Sequence, residues 1–205
     1  MKKLSGEVSG RPGAYFFYLA MLLIPVLGGC GGIRFSEAAP EAKNFHPQSV
    51  ALLSLDVGGY EGAREVVDGL VAGELAGKKW FRTVVSAQKF QLLLQGSEEL
   101  RVAAADYLAK LKTVNFSDPE LSRKIGKLAG IDAFVVVSVD YWYYTKEGDK
   151  NIAKVGLGIR MINADTGVVI WKAGHNLALD YVFMKPDLSD IAGDVVKQMI
   201  RFMPH

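Results

Sequence analysis

Residues 49–205 predict an α/β domain: a mixed sheet that ends in an antiparallel meander, with helices packed on it. Three observations carry the prediction. Helical periodicity dominates residues 61–128, with short apolar runs before and within it. The apolar period then changes from about four to two near Val135. From there, alternating stretches follow one another across short turns, and only antiparallel neighbours can be joined that way.

Each element has its own signal. Val50-Ala51-Leu52-Leu53-Ser54-Leu55 is a short apolar run closed by Asp56 and Gly58-Gly59, which suits a buried strand. A helix is expected over 61–76, with Val66, Val67, Leu70, Val71 and Leu75 on one face and Gly77 ending it. A strand is expected over Phe81–Ser86. Residues 88–112 are helical, interrupted at Gly96, and Ser97 caps the second part with Leu100, Ala103, Ala104, Tyr107, Leu108 and Leu111 inward. Asp118 as cap and Pro119 at the first position open the next helix, which turns Leu121, Ile125 and Leu128 inward and stops at Gly130.

The meander follows. Val135, Val137, Val139, Tyr141 and Tyr143 alternate along one strand, and Val155, Leu157, Ile159 and Met161 alternate back after a turn at 147–151. Asn163–Gly167 turns again into a strand from Val168 that Leu177, Leu179, Tyr181 and Phe183 extend. Pro186 and Asp187 open a last helix with Leu188, Ile191, Val195, Met199 and Phe202 inward. The expected order is β-α-β-α-α-β-β-β-α, an α/β sandwich.

Ahead of this domain the chain has the anatomy of an export signal. Lys2, Lys3 and Arg11 precede an apolar run from Ala14 to Leu27, which ends in Leu27-Gly28-Gly29-Cys30. A spanning helix needs about 20 apolar residues, more than this run supplies before its glycines. The pattern resembles the lipobox of bacterial lipoproteins, in which Leu27, Gly28 and Gly29 are read by the signal peptidase and Cys30 receives the lipid. Cys30 is the one cysteine in 205 residues. The resemblance implies a signal peptide over 1–29, a lipidated N-terminus and flexible tether over 30–48, and a single periplasmic domain over 49–205. Gly31, where Asp would mark inner-membrane retention in enterobacterial sorting, points to the outer membrane, with the domain facing the periplasm.

Composition restricts the partners. The precursor carries 24 basic and 22 acidic side chains. Cleavage removes Lys2, Lys3 and Arg11 and one acid, Glu7, leaving 21 of each sign and a neutral mature chain. A neutral chain without a basic run argues against nucleic acid as a partner. With Cys30 acylated no thiol remains, so the fold has to persist in an oxidising compartment without disulfides.

Two further stretches carry a family resemblance. In Leu121–Val139 a helix ends at Gly130 and drops directly into a buried strand, and Ile159–Trp171 is a hairpin ending on tryptophan. With the opening strand, they resemble the periplasmic domain shared by the curli-secretion lipoprotein CsgG, the penicillin-binding-protein activator LpoB and the TolB N-terminal domain, over residues 50–200. The resemblance implies a protein without catalytic activity that binds other envelope proteins. The curli pore needs extra amphipathic hairpins to cross a membrane. Here the meander is already required by the core, so no strands are spare for a pore.

The short motifs that mimic catalytic ones read as structure. Asp165-Thr166-Gly167 spells the aspartic-protease triplet, but that chemistry needs two carboxylates sharing a proton. A hairpin turn, with Asp165 capping its own backbone and Gly167 at positive φ, accounts for it. Ser86-Ala87-Gln88-Lys89 matches Ser-x-x-Lys without a Lys-Thr-Gly partner. His46, His175 and His205 are isolated, with His46 and His205 expected in solvent and His175 on the surface, so no metal site or cofactor is expected. Of the Tyr141–Tyr144 run, Trp142 and Tyr144 fall on one face and are the candidate partner contacts. The function expected is that of a membrane-anchored, non-catalytic binding or assembly factor for other envelope proteins. The alternatives are an oligomeric outer-membrane secretion component of the curli-secretion type, and a hydrolase.

Overall fold

The computed structural model describes residues 33–54 and 59–205. A six-stranded mixed sheet has the order β1-β6-β5-β4-β2-β3. Its strands are β1 (Phe35–Ala38), β2 (Ser49–Ser54), β3 (Thr83–Val85), β4 (Ala133–Glu147), β5 (Lys150–Asn163) and β6 (Val169–Tyr181). Its helices are α1 (Glu61–Lys78), α2 (Ala87–Gly96), α3 (Glu98–Thr113), α4 (Pro119–Ala129) and α5 (Leu188–Ile200). β2 runs parallel to both β3 and β4, and β4, β5 and β6 form the antiparallel meander. The fold class read from the sequence is the one observed.

The sheet separates two cores. On one face α1 and α5 cover Val50, Leu52, Val135, Val137, Leu157, Ile159 and Trp171. On the other, α2, α3 and α4 cover Ala51, Leu53, Phe134, Val136 and Ile162. β2 serves both because it is central: its alternate residues are buried on opposite sides, which is why it reads as a continuous apolar run. α1 turns Ala63, Val67, Val71 and Leu75 inward at four-residue spacing.

Several boundaries differ from expectation. The segment expected as a tether enters the fold early: Phe35–Ala38 pairs antiparallel with β6, and a 3-10 turn at Pro40–Asn44 follows. No periodicity announces β1, because an edge strand of four exposed residues needs none. α1 passes through Gly77 and ends at Lys78, with Lys79 at φ 58°. Gly77 is therefore an internal helix residue. The 88–112 region is two helices, since Ser97 is extended and accepts a hydrogen bond from the Leu100 N–H. In α4, Leu128 is 42% exposed, and Ser122 and Gly126 take the inward face with Ile125. Beyond α5, Phe202 is 54% exposed and Met203 is buried in its place.

The two motif stretches meet and lock. Ser122 Oγ donates to the Ala164 carbonyl at 2.9 Å, and Arg123 pairs with Asp165 at 3.0 Å. Gly126 and Gly167 permit the approach. A Cβ on Gly126 would lie 2.9 Å from Ala164 Cβ, and one on Gly167, at φ 71°, would lie 2.9 Å from Pro119 Cα. At the same end the Asp132 carboxylate accepts hydrogen bonds from the Gln48 and Ser49 N–H groups and from Ser49 Oγ, at 2.8–2.9 Å. That pins the start of β2 to the start of β4.

Candidate functional site

β4, β5 and β6 are 15, 14 and 13 residues long, far longer than β2 or β3. α5 lies along β5 and β6 on one face, whereas on the other face the core under α2, α3 and α4 takes in only Ile162 of β5 and Val169 of β6, at one end of these strands. Beyond that end the second face is open. It forms a groove of about 660 Å³, walled by Phe35 and Glu37 of β1 and by Leu111 and Asn115 at the end of α3, with Ser138, Tyr141, Arg160, Lys172 and Asn176 rising from the sheet.

Three glycines shape this floor. A Cβ on Gly156 would lie 2.4 Å from the Tyr141 ring, one on Gly174 2.4 Å from the Phe35 ring, and one on Gly158 2.6 Å from Ser138 Oγ. Tyr141 and Phe35 thus lie across bare backbone, and a side chain at either glycine would lift the ring from the sheet. The Gly156-x-Gly158 spacing in β5 thus makes room for Tyr141 and Ser138. Lys154 Nζ stands 4.3 Å from the Tyr141 ring centroid, a cation–π contact that stiffens the ring. The groove's charges are mixed and partly paired: Lys172 bridges to Glu37 at 2.8 Å, and Arg160 donates to Asn115 Oδ1 at 2.5 Å. Such a surface suits polar, aromatic contact more than a phosphate.

A β-bulge decides which aromatics reach the groove. Val139 pairs with Leu157 and Tyr141 with the next residue, Gly156, leaving Asp140 as the extra residue. Simple alternation would put Tyr141 on the side of Val135, Val137 and Val139. Instead Trp142 and Tyr144 continue that side and pack half-buried against the α1–α5 core. The Tyr144 hydroxyl donates to the Pro186 carbonyl at 2.8 Å, its ring meets Tyr181 edge-on at 6.2 Å, and Lys185 Nζ sits 3.5 Å from its centroid. Trp142 and Tyr144 therefore lie beside α5, and Tyr141 occupies the groove.

The remaining candidates fall into place as structure. Ser86 caps α2 by accepting from the Lys89 N–H, which accounts for the Ser-x-x-Lys spacing. At 163–167 it is Asn163, not Asp165, that caps the turn, accepting from the N–H groups of Asp165 and Thr166. His175 is buried at 8% exposure, against the surface position expected, and its Nε2 lies 3.0 Å from Gln198 Oε1 of α5. His205 is exposed but stacks flat on Trp80, at 4.0 Å between centroids. Among the described residues no group of three or more His, Cys, Asp or Glu is gathered as metal ligands would be, and no helix is long and apolar enough to cross a membrane. Leu27, Gly28, Gly29 and Cys30 lie outside the described residues.

One feature was invisible to sequence reasoning. Val182, Phe183 and Met184, just past β6, are 78, 100 and 86% exposed. Phe183 was expected to extend the strand. The strand instead ends at Tyr181, opposite Asn151 and one residue short of the end of β5.

By sequence the chain matches no described protein family and no curated protein. By fold it is similar to the PelC dodecamer from Paraburkholderia phytofirmans, at 13% identity and TM-score 0.53, covering 83% of this chain and 95% of that one. It is also similar to lipoprotein GNA1162 from Neisseria meningitidis, at 14% identity and TM-score 0.50, covering 76% and 96%. The LpoB C-terminal domain from Salmonella enterica aligns at 17% identity over 67% of this chain and 87% of that one, with a TM-score of 0.34. The architecture built here is thus one that a known lipoprotein also adopts.

Proposed function

We propose that this chain is an envelope lipoprotein, held to the outer membrane by lipid on Cys30 after cleavage of residues 1–29, and that it works by binding other envelope proteins without catalysis. The observation that carries the binding role is the open half of the sheet. A shallow floor of glycine backbone, flat aromatic rings and paired charges offers area and hydrogen bonds. Interfaces of this kind draw their affinity from a few aromatic and Arg side chains, and Tyr141, Phe35 and Arg160 are so placed. The lipobox-like Leu27–Cys30 supports the anchor, and the fold shared with a named lipoprotein is consistent with it.

The test is in-cell crosslinking from a photoreactive residue at Asn176, on the groove floor, followed by purification of the anchored protein. One defined envelope protein should crosslink there and be lost in Tyr141→Ala. A ladder no different from that of a probe at exposed Leu92, on α2 away from the groove, would sink the binding role. The anchor is tested separately: Cys30→Ala should move the cleaved protein from the membrane pellet to the soluble fraction.

A second reading rests on one observation: PelC, which shares this fold, is a dodecamer. Groove and β1 edge would then meet in neighbouring copies. Sedimentation of the detergent-purified protein as a monomer at micromolar concentration would remove this reading.

A further inference from the structure

We infer that the Val182-Phe183-Met184 loop is a membrane-seating wedge, which dips into the lipid surface beside the acylated N-terminus and sets the domain's orientation. The inference rests on the reading of Cys30 as the lipid anchor. The three side chains are consecutive and stand almost fully in solvent. Protein docking anchors are commonly pocketed. A convex apolar tip suits a fluid medium that closes around it.

Two observations favour lipid over a second copy or a folded partner. The first is direction. β1 runs antiparallel to β6 with Phe35 opposite Gly174, so the chain ahead of Phe35 leaves toward the Tyr181 end of the sheet, where the loop stands. Cys30 precedes Phe35 by five residues and can reach about 17 Å that way. Val182 lies eight residues beyond Gly174, about 26 Å at strand rise. Lipid and loop can therefore lie within about 10 Å of one level, the depth to which interfacial segments sink. The second is what backs the loop. Tyr144 and Tyr181 meet edge-on at its base, with Lys185 over the Tyr144 ring. Amphipathic aromatics with a flanking lysine are what a headgroup layer accommodates.

The chain's single cysteine makes the test clean. Phe183→Cys in the full chain has one free thiol if Cys30 is acylated and two if it is not, so the number of nitrobenzoxadiazole labels bound reads the anchor independently. In phosphatidylcholine vesicles the label at position 183 should emit at shorter wavelength and be quenched by lipid brominated in its acyl chains. A label in Leu128→Cys, at the opposite end of the sheet, should emit as in water. One label per chain, with emission at 183 as in water and no quenching, overturns the proposal. A blue-shifted label that brominated lipid does not quench also overturns it, because a protein surface then covers the loop. Two labels per chain sink the anchor alone. The loop is then read in Cys30→Ala with the same label, where quenching on added vesicles upholds the wedge and its absence overturns it.

Discussion

Single side chains carry the locks of this fold. Ser122 is fully buried on α4, and its hydroxyl is the hydrogen-bond donor to the Ala164 carbonyl. Ser122→Ala leaves that carbonyl without its donor and should lower unfolding stability by about 1–3 kcal/mol in a urea titration. Asp118 acts through charge. Its hydrogen bond from Lys110, joined by those from the Leu121 and Glu120 N–H groups, holds its carboxyl below the ordinary 3.8. A carboxyl depressed in the fold stabilises fully above its unfolded value, and that contribution fades as pH falls through the folded value. Thermal midpoints should therefore begin to fall as pH drops below about 5. In Asp118→Asn that part of the fall should be missing, while the cap itself is kept. Asp118 was legible in the sequence as a cap because caps are local. Asp132 was not, because its partners Gln48 and Ser49 lie more than 80 positions away.

At the scale of elements, irregularities matter more than periodicity. The bulge at Asp140 sends Trp142 and Tyr144 to the helix side, and a second irregularity, between Met161 and Ile162, lets adjacent Ile170 and Trp171 both enter one core. Because Asp140 is the extra residue, deleting it should leave every later side chain of β4 on its present face. The deletion should still melt cooperatively and keep its near-ultraviolet dichroism. One alanine inserted after Tyr141 should instead turn Trp142 and Tyr144 outward, costing about 2 kcal/mol or more and altering that signal. The helices and the meander were readable because each rests on spacing within one stretch of chain. The groove was not. It arises where α3 and α4 end relative to long strands, a relation between elements that no local pattern encodes. The Gly156-x-Gly158 spacing is visible in the chain, but its use as a bed for Tyr141 depends on the bulge opposite.

For the whole molecule, two cores on one sheet supply the stability that disulfides supply elsewhere. A single cysteine in 205 residues cannot form an internal bridge, so the thermal midpoint should be the same with and without dithiothreitol. An unchanged midpoint is the expected result; a drop would mean that the chains are cross-linked in pairs. The two cores also have different duties. The α1–α5 core extends up the long strands as far as Tyr144 and Tyr181, whereas the α2–α4 core ends early and leaves the groove free.

β1 has one further consequence. It joins the sheet by four residue pairs, reinforced by Trp171 Nε1 donating to Ser36 Oγ at 2.8 Å and by the bridge between Glu37 and Lys172. A tension applied through Ile33 along the strand axis loads all of these contacts together in shear, rather than opening them one by one. Strands loaded in shear part at far higher force than strands that unzip. A pull on the domain from its N-terminal side would thus be met by the four pairs of β1 acting together, and the short edge strand would hold far more than its length suggests.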